Sequence, residues 1–169
     1  MNLPHLVEAV GQGGEVIGVD ASDAMLARAR HRIETNQWSQ VRLITADAGA
    51  VAAHVHGAFD AAVFAYSLAV IDDWHAAWRQ VLDLVRPGGR VAVVVVDTAY
   101  PTGVWSLLAP LSWLAFAVGG VHPSPRVWDL VAADTADSSH RAIKDGHVHV
   151  AAGTVAADEP RSEPGDGAQ

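Results

Sequence analysis

Apolar residues recur along this chain with two alternating periods, and the alternation lays out a fold. Leu3, Leu6, Val7 and Val10 fall at helical spacing, which predicts a short amphipathic helix over residues 2–10 with Gly11 near its end. Gln12-Gly13-Gly14 reads as a turn, and residues 15–19 form a β-branched apolar run that predicts a strand. Asp20 ends that run abruptly. A helical pattern over residues 22–35 follows, with Met25, Leu26, Ala29 and Ile33 on its apolar face. Residues 41–45 predict a second strand ending at Ala46-Asp47, and the Ala- and Val-rich residues 48–56 predict a short helix. Residues 59–65 predict a third strand, after which Trp74, Ala77, Trp78, Val81, Leu82 and Val85 share one face of a further helix. Arg86-Pro87-Gly88-Gly89 is expected to stop that helix in a tight turn, because Pro cannot continue a helix. The unbroken apolar run at 90–96 predicts a central strand buried on both faces.

Beyond Asp97 the pattern changes. Residues 104–121 contain no charged side chain and include Trp105, Trp113 and Phe116. That length is just sufficient for a membrane span, but Pro110 and Gly119-Gly120 interrupt it and no basic residues flank it. Three readings stay open: a buried helix pair or substrate lid, an interfacial membrane contact, or a span. Residues 126–133 predict one more helix. Residues 139–144 and 147–156, joined by Asp145-Gly146, predict a closing β-hairpin, since Asp-Gly is a strong two-residue turn signal. The Pro-, Gly- and acid-rich residues 157–169 read as a disordered tail, leaving 1–156 as one domain. Strands alternating with helices predict an α/β fold with a mostly parallel sheet and a C-terminal antiparallel hairpin.

Composition narrows the chemistry. Half of the 169 residues are hydrophobic and the formal net charge is −8, which argues against a nucleic-acid partner, because phosphate binding needs Lys and Arg. Without Cys there is no disulfide frame, thiolate nucleophile or zinc-thiolate site. The nine His are scattered, and a solvent-facing hairpin accounts for His147 and His149 better than a metal does. The start carries no basic region followed by an apolar run, so a cytoplasmic location is expected, with membrane association through residues 104–121 as the variant.

The most telling position is Asp20. In a parallel α/β sheet, ligands sit beyond the carboxyl ends of the strands, so a carboxylate there points into the site. A carboxylate is an acceptor only, which suits it to receive both hydroxyls of a ribose. The competing role is capping of the next helix, which Ser22 or Asp23 fills equally well. Asp47 repeats the pattern past the second strand.

Asp20, Asp47, Phe59-Asp60, Arg86-Pro87-Gly88-Gly89 before a Val-rich strand and the closing hairpin occur in an order that resembles class I S-adenosylmethionine-dependent methyltransferases, which have a Rossmann-like sheet. The segment Tyr66-Ser67-Leu68-Ala69-Val70-Ile71-Asp72-Asp73-Trp74 resembles the phosphatidylethanolamine and small-amine N-methyltransferase branch. The resemblance implies S-adenosyl-L-methionine as cofactor and a small or lipid-like acceptor, with an amine as one candidate. It further implies that Asp20 holds the ribose hydroxyls, that Ala21, Ser22 and Met25 line the adenosine pocket, and that Asp47 accepts from the adenine amino group beside the Ala48 N–H. Tyr66 and Ser67 would lie near the methionine end and the acceptor. No residue is assigned as catalytic, since methyl transfer from a sulfonium depends mainly on holding the nucleophile in line.

One departure from the family is conspicuous. Its members begin with a strand ending in a glycine-rich turn, whereas Met1-Asn2-Leu3-Pro4-His5-Leu6 resembles the helix that follows that turn. Gly11, Gly13 and Gly14 come after the helix. An N-terminally truncated chain is therefore expected, with the first strand missing from between the strands ending at Asp20 and Ala65. The alternative function is an inactive remnant or binding module of the same fold. A nicotinamide-dependent oxidoreductase fits less well, since no Tyr-x-x-x-Lys pair is present.

Overall fold

A computed structural model describes residues 2–96, 126–143 and 148–156. The chain opens with helix α1 (Leu3–Val10), strand β1 (Val16–Asp20), helix α2 (Asp23–Asn36) and strand β2 (Val41–Thr45). A 3-10 segment (Ala48–Ala53) leads to strand β3 (Phe59–Ala65), a 3-10 turn (Leu68–Val70), helix α3 (Trp74–Leu84) and strand β4 (Val85–Val96). Helix α4 (Val127–Asp134) and strands β5 (Ala136–Ile143) and β6 (Val148–Thr154) complete the described residues. The residue run 104–121, the Asp145-Gly146 turn and the tail expected at 157–169 lie outside them.

The strands form two sheets. β1 pairs in parallel with β2, from Val16 opposite Val41 to Asp20 opposite Thr45. The other sheet has the order β3-β4-β6-β5. There β3 and β4 are parallel, while β6 runs antiparallel to both β4 and β5. The expected α/β alternation and edge hairpin are both present. Among the described residues, β1 and β3 each have a strand partner on one edge only.

The core is concentrated on the larger sheet. Val91, Val93 and Val95 alternate along β4 and meet Phe64, Leu68, Ala77, Trp78, Val127, Val131 and Ala151, all buried. Because side chains alternate across a strand, this run presents one face to α3 and α4. The other face is less covered, with Val96 41% exposed, so the expectation of burial on both faces is corrected. Trp78 is the largest buried side chain, and its indole N–H donates to Asp134 Oδ2 at 2.7 Å, tying α3 to the end of α4. The only buried residues from α1 through β2 are Val16 and Leu26, and neither belongs to this cluster.

A second correction concerns Arg86-Pro87-Gly88-Gly89. Instead of a turn between helix and strand, it is an irregular stretch inside β4: Phe59 pairs with Val85 and Ala61 with Arg90. Gly88 sits at φ +78, and the Gly88 N–H donates to the Val155 carbonyl at 2.9 Å while the Val155 N–H donates to Gly89 at 2.9 Å. Pro87 is tolerated because the strand is already irregular there. Arg86 Nε meets Asp60 Oδ1 at 2.7 Å, so two motifs distant in sequence are joined in space.

Candidate functional site

The site is built from the carboxyl ends of the strands. Asp20 is the last residue of β1, opposite Thr45, and its carbonyl accepts from the Ala46 N–H at 3.2 Å. Its side chain is exposed, and Oδ1 accepts from the Ser22 N–H at 2.8 Å. The helix cap is Ser22 instead, whose Oγ accepts from the Met25 N–H at 3.4 Å. Of the two roles open to Asp20, capping of α2 is thus taken by another residue. Its second oxygen has no hydrogen-bond partner among the described residues and keeps its acceptor capacity.

Asp47 follows β2 by two residues and lies at the same end of the sheet. Its Oδ1 accepts from the Gly49 N–H at 2.7 Å and caps the 3-10 segment. A structural job therefore exists for this carboxylate that sequence reasoning did not assign. Gly49 is confined there, since a Cβ would lie 3.2 Å from Asp47 Oδ1. Sequence reasoning also missed Gln80 of α3. Its Oε1 accepts from the Ala52 N–H at 3.0 Å and its Nε2 donates to the Gly49 carbonyl, which fixes the segment carrying Ala48. A lone Gln on a helix face carries no sequence signal for that clamp.

Met25 is 41% exposed, so it is not part of the apolar face of α2; among the described residues of that helix only Leu26 is buried. Ala21 and Ser22 are exposed beside it. These residues, with Asp20, Asp47 and Ala48, gather at one end of the β1–β2 sheet. Tyr66 and Ser67 stand past the carboxyl end of β3, in the other sheet. Tyr66 has φ +60, uncommon for a residue with a side chain, and its N–H donates to the Val94 carbonyl at 2.7 Å. That bond holds the left-handed turn and leaves the side chain 52% exposed.

The set of groups suits the adenosine half of a nucleoside cofactor: two carboxylates on adjacent strand ends, each with one oxygen unengaged among the described residues, flanked by an exposed thioether. The glycines near β1 have packing reasons instead. A Cβ on Gly14 would lie 2.5 Å from Val10 Cβ, and one on Gly18 would lie 2.8 Å from Leu43. No group of three or more His, Asp or Glu side chains with metal-holding geometry occurs among the described residues.

Comparison with known proteins places these features in context. Residues 2–89 match the family described as methyltransferase domain. A demethylmenaquinone methyltransferase from Oceanobacillus iheyensis is 33% identical over 97 residues, which cover 57% of this chain and 40% of that protein. The chain thus spans about two fifths of the length of the curated relatives it matches. Among solved structures, the S-adenosylmethionine-dependent methyltransferase SibL superposes with a TM-score of 0.63 at 23% identity, covering 93% of this chain and 48% of SibL. The N-methyltransferase NodS from Bradyrhizobium japonicum, in complex with S-adenosyl-L-homocysteine, gives a TM-score of 0.58 at 15% identity, covering 82% of this chain and 65% of NodS. At these identities the likeness concerns the fold.

Proposed function

Because this chain belongs to the methyltransferase domain family and has its Rossmann-like class I fold, we propose that it forms the adenosine-binding part of a methyltransferase acting on a small or lipid-like acceptor. S-adenosylmethionine, the family's cofactor, supplies the sulfonium-bound methyl group when bound. The observation that carries the reading is the pair Asp20 and Asp47 at the carboxyl ends of two adjacent parallel strands.

In this reading the free oxygen of Asp20 receives the ribose hydroxyls, and its other oxygen stays on the Ser22 N–H, which holds the carboxylate in orientation. Met25 and Ala21 cover the adenosine with apolar surface, and Ser22 keeps the start of α2 in place beneath it. Asp47 receives the adenine amino group through the oxygen not used for capping, and the Ala48 N–H donates to the ring. Tyr66 and Ser67 face the acceptor. The left-handed backbone at Tyr66 supports that role, since backbone strain concentrates at ligand sites. The chain's contribution to the reaction is placement of donor and acceptor, which alone lowers a displacement barrier substantially.

Two acceptor chemistries are favoured by particular observations. The demethylmenaquinone methyltransferases among the relatives favour an apolar quinone. The segment Tyr66 to Trp74, with its likeness to the phosphatidylethanolamine and small-amine branch, favours an amine. The exposed Tyr66, Val70 and Met25 suit either, because both are carried on an apolar body.

Among the described residues β1 and β3 each keep one unpaired edge, which supports a further strand beside them and with it a turn that cradles the methionine half. We therefore expect the chain as given to bind S-adenosylhomocysteine weakly, and a form extended upstream by in-frame coding sequence to bind it well. Calorimetry on both forms and on Asp20→Ala in the extended form is the test. Loss of one charge-assisted hydrogen bond costs about 1.5–3 kcal/mol, or roughly ten- to hundredfold in affinity. Unchanged affinity in Asp20→Ala removes the carboxylate from the site. No binding by either form leaves the alternative, a remnant or binding module of the same fold.

A further inference from the structure

Away from the strand ends, three aromatic rings meet on the hairpin. His140 on β5 and His149 on β6 are diagonal neighbours across the ladder, since Ala142 lies opposite His149 and His140 opposite Ala151. His140 Nε2 and His149 Nδ1 are 2.8 Å apart. The two imidazoles are 9° from parallel with centroids 5.0 Å apart, so with their nitrogens in contact they lie edge to edge. Trp128, in the first turn of α4, lies flat against both: 4.0 Å and 13° from His149, 5.3 Å and 5° from His140. The indole thus spans an imidazole pair joined by a hydrogen bond.

We propose that His140, His149 and Trp128 form a proton-operated latch that holds the first turn of α4 to the β5–β6 hairpin and opens when both imidazoles are protonated. The hydrogen bond between the two nitrogens needs one N–H and one lone pair. A neutral pair satisfies this, and so does a pair carrying one additional proton, whose charge also gains from the indole face. Two additional protons set N–H against N–H and place two cations side by side, so the coplanar arrangement is lost, and Trp128 loses the surface it stacks on.

The charged surroundings bear on the second protonation. The protonation of His140 is shifted below its ordinary pKa of 6.5, first by burial and next by the charge of His149, while Asp129 on α4 acts in the opposite direction. Arg141 is the neighbouring cation on β5, and Arg126 precedes α4. Since the folded state binds this proton less readily than the unfolded chain, the contribution of His140 to stability is full above its ordinary pKa and is lost as pH falls through the lower folded value. The far half of α4 is held by Asp134 on Trp78 and by the buried Val131, so opening is confined to the first turn, where it works against the buried Val127.

The test is an NMR titration of the intact chain from pH 8 to 4.5, following the histidine ring protons, the Trp128 indole signal and the amide exchange of the first turn of α4. Expected are two separated steps for the pair. The lower step should coincide with a shift of the Trp128 signal and at least about tenfold faster exchange in that turn. In His149→Gln, His140 should titrate once, nearer its ordinary value, and the lower step in the Trp128 signal should be absent. Trp128→Phe should keep both steps but weaken the coupling of the lower one to the exchange change. A single common step for both histidines, or a Trp128 signal indifferent to pH in the parent, overturns the latch. So does an acid step in Trp128 that persists unaltered in His149→Gln.

Discussion

Two side chains show how differently a residue's role is written. Asp20 ends an apolar run and begins no helix, a contrast that makes it a candidate to face a ligand. In the structure Ser22 does the capping, and one oxygen of Asp20 has no hydrogen-bond partner among the described residues. Tyr66 carries no such signal for its left-handed backbone, because that conformation is imposed by the hydrogen bond to Val94 from another strand. Relief of the strain by Tyr66→Gly should leave stability unchanged or raise it by up to about 1 kcal/mol, since the αL penalty exceeds or offsets the added chain entropy. The same change should weaken binding of the methyl acceptor, so a stability gain with a binding loss is the signature to measure. Asp134 lends itself to a plain stability test. Removal in Asp134→Ala leaves the buried Trp78 indole N–H without its charged partner and should cost about 1–3 kcal/mol in urea unfolding. Asp134→Asn keeps an acceptor oxygen and should cost less.

Elements were legible where one period dominates. The second and third strands fall at 41–45 and 59–65 as the pattern predicts, and α3 carries Trp74, Ala77, Trp78, Val81 and Leu82 as expected, whereas Val85, expected on the same face, opens β4. Arg86-Pro87-Gly88-Gly89 was not, because a Pro-Gly pair after a helix resembles a stop signal whether it turns the chain or only bulges a strand. What decides is the partner: Asp60 of β3 and Val155, just past β6, engage the segment. Close approach between elements is equally invisible to local pattern. A Cβ on Gly153 of β6 would lie 1.8 Å from Thr135 Oγ1, at the junction of α4 and β5. Gly153→Ala should therefore destabilise by about 1–3 kcal/mol through overpacking. Thr135→Ala should recover part of that loss in the double variant, and a denaturant series on the four proteins measures the coupling. Additive effects would show that the contact is relieved some other way.

At the scale of the molecule the chain is uneven. The larger sheet and its two helices share one buried cluster, while α1, β1, α2 and β2 contribute none of its residues. The N-terminal elements are linked to the rest chiefly where the 3-10 segment meets α3, through Gln80. Regions with few buried apolar contacts open at lower free energy than the core. Amides of β1 and β2 should accordingly exchange well before those of β4 and β6, and Gln80→Ala should widen the difference. Exchange that proceeds at one rate across both sheets would show a single cooperative unit. Among the described residues no helix is long and apolar enough to cross a membrane.

The order of strands and helices, the two carboxylates after strands and the expectation of a gap between Asp20 and Ala65 follow from the sequence, because hydrophobic period and chain connectivity are local properties. Among the described residues β1 pairs with β2 apart from the other four strands. Only tertiary structure decides which acceptor atoms stay unengaged: Asp20 and Asp47 each give one oxygen to the N–H two residues on and keep the other. The same holds for His149. As one of several scattered histidines it reads as solvent-facing, and only the ladder register, which sets His140 beside it, and the docking of α4, which lays Trp128 across both, make the three rings one unit.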